Sequence, residues 1–122
     1  MDKHYRKESG DRGEQLALEY LEAAGLKLHQ RNYHCAVGEI DLVMSDHQTL
    51  VLIEVRLRRQ QQFGGAAASV NSGKQQRLVR AAQHLLQSHP EYRRYRARFD
   101  LVAIDGKDSA LQVNWIKDAF RL

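Results

Sequence analysis

The sequence predicts an α/β domain: one mixed β-sheet flanked by helices, in the order αβββαββ, with a helix on each face. Three observations predict it. Apolar residues recur at helical spacing in two separate segments, Leu16-Ala17 with Tyr20, Leu21 and Ala24, and Leu78-Val79 with Ala82, Leu85 and Leu86. Short runs rich in β-branched residues stand between and after them, around Ile40–Met44, Leu50–Leu57 and Phe99–Ile104. The second helical segment separates the last two of these runs, which is the connection that a parallel pair of strands requires.

Each element follows from local signals. Residues 1–10 are polar and read as a tail. The first helix is expected over residues 11–24, with Asp11 and Glu14 as a capping box and Gly25 closing it. Leu26 to Cys35 has weak alternation and mixed polarity, as suits an edge strand. Two strands then flank Ser45-Asp46-His47-Gln48, expected to be a four-residue hairpin loop. Gln60–Gly65 is a polar, glycine-bearing connection. Asn71 or Ser72 caps the second helix, and His89-Pro90 ends it. Arg98–Asp105 is a strand closed by Gly106; Leu111–Ile116 is a last, shorter one, and Lys117–Leu122 a tail.

Composition narrows the function. A chain of 122 residues, 43% apolar and 28% charged, is expected to form a single globular domain over residues 1–122. No apolar run approaches the length that spans a bilayer, and no apolar segment follows the charged N-terminus. A lone Cys35 excludes an internal disulfide and zinc-type cysteine spacing. The expectation is therefore a cytoplasmic protein without a membrane partner. A net charge of +4 favours a polyanion. Basic residues gather at Arg56–Arg59 and again in Tyr92–Arg98, where tyrosines interleave arginines as in surfaces that grip phosphates and stack on bases. A solvated arginine-rich loop is the competing reading of that second tract. The histidines are scattered, with no His-x-x-x-His pair, and no Walker-type Gly-Lys-Ser/Thr is present.

The informative feature is acid placed inside strands. Side chains alternate along a strand, so Glu39 and Asp41 share one face, and Glu54 and Arg56 share another. Any hairpin register in which paired residue numbers sum to an odd value brings all four to one patch; a sum of 93, for example, sets Glu39 opposite Glu54. Three carboxylates on one patch repel unless a cation binds between them, and a hard divalent ion such as Mg²⁺ suits oxygen ligands. Glu14 would be a further acid near that ion, or else only the cap of its helix. Asp100, in an apolar run, reads as a hydrogen-bonded structural acid. Cys35 reads as a small buried hydrophobe and His34 as a surface side chain.

An acid on one strand followed by Glu-x-Lys on the next resembles the PD-(D/E)xK superfamily, the restriction-endonuclease-like fold. Here Asp41 stands at the first acid position and Glu54-Val55-Arg56 at the second motif. More closely, Gly38-Glu39-Ile40-Asp41, Ile53–Arg58, Lys74–Leu78 and Arg98–Val102 resemble the YraN family of small bacterial proteins, regarded as related to archaeal Holliday-junction resolvases. The resemblance runs from about Gly13 to the C-terminus. It implies a metal-dependent endonuclease hydrolysing DNA phosphodiesters, with branched DNA as a candidate substrate form and Mg²⁺ or Mn²⁺ as cofactor. Asp41, Glu54 and Arg56 would be catalytic, and Asp41, Glu54, Glu39 and Glu14 would hold metal. The expected nucleic-acid contacts are Arg58, Arg59, Lys74, Arg77, Arg93, Arg94 and Arg96. Symmetric action on two strands implies a homodimer.

One departure matters. The superfamily usually has lysine where this chain has Arg56, and arginine cannot give up its proton to act as a base. Lys74 could stand in if its helix points at the hairpin, although a solvated or phosphate-contacting lysine is the simpler reading. The alternative function is a non-catalytic nucleic-acid-binding module on the same fold. A third reading pairs Glu54 with Arg58 or another arginine in a purely structural network.

Overall fold

The computed structural model describes the backbone of residues 3–58, 72–106 and 111–120, with side chains from residue 12 onward except that of Arg58. Arg58 as a contact, Arg59, the Gln60–Gly65 connection and Asn71 as a cap therefore fall outside the described side chains or residues. Helix α1 spans Lys3–Ala23, strand β1 Lys27–Cys35, β2 Gly38–Asp46 and β3 Thr49–Arg58. Helix α2 spans Ser72–Ser88, followed by a 3₁₀ turn at Pro90–Arg94, then β4 over Arg96–Asp105 and β5 over Gln112–Phe120. The αβββαββ order is the one expected.

The first helix corrects the sequence reading. It begins at Lys3, so Asp11 lies within it and neither Asp11 nor Glu14 caps its start. The segment Lys3–Ser9 holds no glycine or proline and several good helix formers, so nothing in it stops the helix from extending. The other end behaves as expected. Gly25 adopts φ +103°, and the bonds Leu26 N–H to Leu21 O (3.1 Å) and Gly25 N–H to Glu22 O (3.0 Å) form a Schellman closure.

The sheet has the order β1-β2-β3-β4-β5. Among the described strands only β3 and β4 run parallel, with α2 as their crossover. Leu50, Val51, Leu52 and Ile53 are all buried because β3 is covered on both faces, hence its continuous apolar run. On one face, Val43, Leu50, Leu52 and Phe99 pack with Leu78, Ala81, Ala82 and Leu85 of α2. On the other, Leu42, Met44, Val51, Ile53, Val102 and Ile104 pack with Ala17, Leu18 and Leu21 of α1.

The hairpin is tighter than expected. Asp46 pairs with Thr49 and Leu42 with Ile53, so the loop is His47-Gln48 alone, with His47 at φ 56°. The odd-sum parity survives, yet it is Asp41 that falls beside Glu54, not Glu39.

The last strand also runs further than expected, to Phe120 rather than Ile116. Asp100, 1% exposed, holds it there. Its carboxylate accepts bonds from Arg98 Nε (3.0 Å) and Nη2 (3.1 Å), Trp115 Nε1 (2.8 Å) and the Asp118 N–H (2.9 Å). Asp118 takes φ 53° to present that N–H, across a register shift between Phe99 and Leu101. Asp100 is thus the structural acid that its apolar setting implied.

Candidate active site

The β2–β3 ladder stops at Leu42↔Ile53. Beyond it, Asp41 Oδ2 accepts the Val55 N–H at 2.8 Å, so a side chain replaces the ladder carbonyl and ties the diverging strands together. Glu54 lies in the same gap. It follows Leu50 and Leu52 on the α2 side of β3 and is buried to 7% exposure. Lys74, in the first turn of α2, brings Nζ to 3.5 Å from Glu54 Oε1; Arg56 Nε lies 3.7 Å from the same oxygen.

Glu54 and Lys74 open into a cleft of about 470 Å³, walled by residues 34–39 around the β1–β2 turn on one side and by Arg77 and Leu78 on the other. Gly38 sets its width. A Cβ there would sit 2.9 Å from the Arg77 carbonyl oxygen, so only glycine lets the turn approach α2 this closely. Cys35, half-buried, donates its thiol to Gly38 O at 3.4 Å and helps hold that turn.

Burial dominates the electrostatics. Glu54 is pushed up to about 7, first by desolvation and then by the Asp41 carboxylate, against the pull of Lys74 and Arg56. Asp41 is also raised above its ordinary value by desolvation, although the Val55 N–H favours its charged form. Two nearby cations do not fully offset the removal of these acids from water.

The expected cluster of four acids is not assembled. Among the described residues, no group of three or more His, Cys, Asp or Glu side chains is placed to hold a metal ion. Glu39 pairs with β1 opposite His34, whose Nδ1 lies 3.2 Å from its carboxylate in an exposed contact; it lines the cleft and its charge adds to the raising of Asp41, but it forms no three-acid cluster with Asp41 and Glu54. Glu14 is buried on α1, next to Gly13, whose neighbours are Leu57 and Ile104 on the opposite face of the sheet. Asp41 and Glu54 remain as the acidic pair. Their hard carboxylate oxygens fit a divalent ion of the Mg²⁺ type, which binds through one or two carboxylates and completes its shell with water and phosphate.

Of the basic residues singled out in the sequence, Lys74 and Arg77 line this cleft, and Arg56 stands 3.7 Å from Glu54. Arg93, Arg94 and Arg96 do not. Arg96 pairs with Thr49 at the start of β3, five residues from Glu54, or about 17 Å along the strand. Parallel pairing dictates this, because β4 must begin at the end where β3 begins. Arg93 donates to the Leu86 and Gln87 carbonyls at the end of α2 (3.2 and 3.4 Å), and Arg94 lies over the Tyr95 ring. The sequence reading undervalued Lys74, which enters the site because α2 starts beside the C-terminal half of β3. It also set aside His34 and Cys35, which line the cleft.

A mixed sheet with a helix on each face, carrying an acid on β2 beside Glu-x-Arg on β3, defines a nuclease-like α/β fold. The chain belongs to the uncharacterised protein family UPF0102, whose model matches residues 13–104; this is the YraN family that its motifs resemble. A UPF0102 protein of Nitrosococcus oceani is 49% identical over 116 residues, covering 95% of this chain and 94% of the relative. One of Saccharophagus degradans is 47% identical over 122 residues, covering 100% of this chain and 98% of the relative. One of Stutzerimonas stutzeri is 48% identical over 112 residues, covering 92% and 93% respectively. Among the described residues, no helix is long and apolar enough to cross a membrane.

Proposed function

We propose that the cleft between the β1–β2 turn and α2 hydrolyses phosphodiester bonds of DNA, branched DNA being the substrate form that the resemblance to resolvases implies, with Mg²⁺ or Mn²⁺ held by Asp41 and Glu54. The observation that carries this reading is a pair of adjacent carboxylates kept in a largely buried site although both are raised toward protonation there. Burial of this kind costs stability and is characteristic of groups retained for chemistry. The bound ion would supply charge neutralisation at the phosphate and lower the pKa of a coordinated water. Asp41 is oriented for its part by the Val55 N–H, which fixes one oxygen and leaves the other for the ion. Glu54 is oriented by Lys74 and Arg56. Those two cations are the groups that face charge developing on the phosphate, with Arg56 acting as a planar donor and not as a base.

A second reading has its own observation. Glu54 Oε1 already lies near two cations, as it would in a module that binds nucleic acid without cutting it. Incubation of linear, flapped and four-way DNA with Mg²⁺ or Mn²⁺ separates the two. Hydrolysis predicts cutting that disappears in Asp41→Ala and Glu54→Ala. Binding with no cutting in either metal assigns the binding module instead, and cutting that persists in both variants removes the assignment of the site.

A further inference from the structure

We infer that α2 is the ridge along which the nucleic-acid backbone leaves the cleft, with Arg77 and Arg80 as its phosphate contacts. The inference rests on the reading of the cleft as a nucleic-acid site but not on whether the cleft cuts. From Val55 to Pro90 the sequence contains no Asp or Glu, while Arg56, Arg58, Arg59, Lys74, Arg77 and Arg80 all fall in that interval. Lys74, Arg77 and Arg80 stand three residues apart on α2, so each is a surface neighbour of the next. Lys74 begins the row inside the cleft beside Glu54, and Arg77 forms part of the cleft wall. The buried stripe of Leu78, Ala81, Ala82 and Leu85 fixes the helix on the sheet and leaves Arg77 and Arg80 exposed.

Neither Arg77 nor Arg80 makes an ion pair or hydrogen bond among the described residues, so their charge is uncompensated. The row from Lys74 to Arg80 rises about 9 Å, comparable with about three successive charges along one DNA strand. At the far end of the sheet Arg96 is exposed as well, but its neighbours are engaged. Arg93 is bound to α2 carbonyls, Arg94 to the Tyr95 ring, and Arg98 to Asp100 and Asp46.

The test is affinity for a fluorescein-labelled 24-base-pair duplex, measured by anisotropy across a salt series with Ca²⁺ in place of Mg²⁺. The double variant Arg77→Ala/Arg80→Ala is compared with Arg94→Ala/Arg96→Ala, which removes the same charge from the other end. The four side chains are exposed, and circular dichroism checks that both variants fold. Loss of two phosphate contacts reduces the slope of log K against log salt by about 1.8, roughly a 30-fold loss of affinity near 0.15 M salt. That result in the first variant, with little change in the second, supports the ridge. Equal losses, a larger loss in the second variant, or no duplex binding by the unaltered protein overturns it. A parallel cleavage assay keeps the two ideas apart: an intact difference in slope without cutting rejects hydrolysis alone, and cutting with no difference in slope rejects the ridge alone.

Discussion

Replacing Glu54 by glutamine should make the metal-free protein more stable above neutral pH. The folded pKa of Glu54 is about 7 against an ordinary 4.5, with burial and the Asp41 carboxylate as the causes. The folded state therefore holds a proton on Glu54 that the unfolded chain has released. Stability contributed by this group is full below about pH 4.5, falls as pH rises through about 7, and is flat beyond. The shift corresponds to about 3 kcal/mol, and glutamine resembles the neutral acid in shape. Glu54→Gln should match the unaltered protein near pH 4.5 and exceed it by about that amount at pH 8, roughly 10 °C in Tm for a domain of this size. His29, lowered by desolvation with Lys27 and Arg94 adding to it, acts with the opposite sign. It is common to both proteins and cancels from their difference. Urea denaturation of both, in EDTA and at half-unit pH steps, measures that difference. A difference independent of pH, or a variant less stable at pH 8, would refute the claim that the site is strained by buried charge.

Other substitutions test the frame of the site. Gly38→Ala must push the β1–β2 turn away from the Arg77 carbonyl and should cost about 1–3 kcal/mol by thermal denaturation. Gly13→Ala should do the reverse: its Cβ would meet Leu57 and Ile104 at 3.5–3.9 Å, ordinary contact, and alanine is favoured in a helix interior by about 1 kcal/mol, so Tm should rise. Asp100→Ala leaves the Trp115 indole N–H and the Asp118 N–H without their acceptor and Arg98 with Asp46 alone, and should lose about 1–3 kcal/mol, with early amide exchange in β5.

The element order was legible because hydrophobic period and turn residues agreed along most of the chain. The face shared by Asp41 and Glu54 was legible too, since parity needs only an odd register. The register itself was not. A two-residue loop requires His47 to take positive φ, and no Asn-Gly or Gly pair announces it, so four polar residues read as the loop. That difference decided which acid met Glu54. The length of β5 was hidden because it depends on bonds from Asp100, eighteen positions away from Asp118. The Tyr92–Arg98 tract looked like an extension of the site only because sequence gives charge without position; the crossover carries it to the other end of the sheet.

The Val55 amide offers a use of its own. Its proton rests on Asp41 Oδ2, so the magnetic environment of one main-chain nucleus follows whatever the carboxylate is doing. In a nitrogen–proton correlation spectrum, the Val55 cross-peak should move when Asp41 is protonated and again when a cation draws on its charge. Occupancy could then be followed directly, even in a protein that turns nothing over.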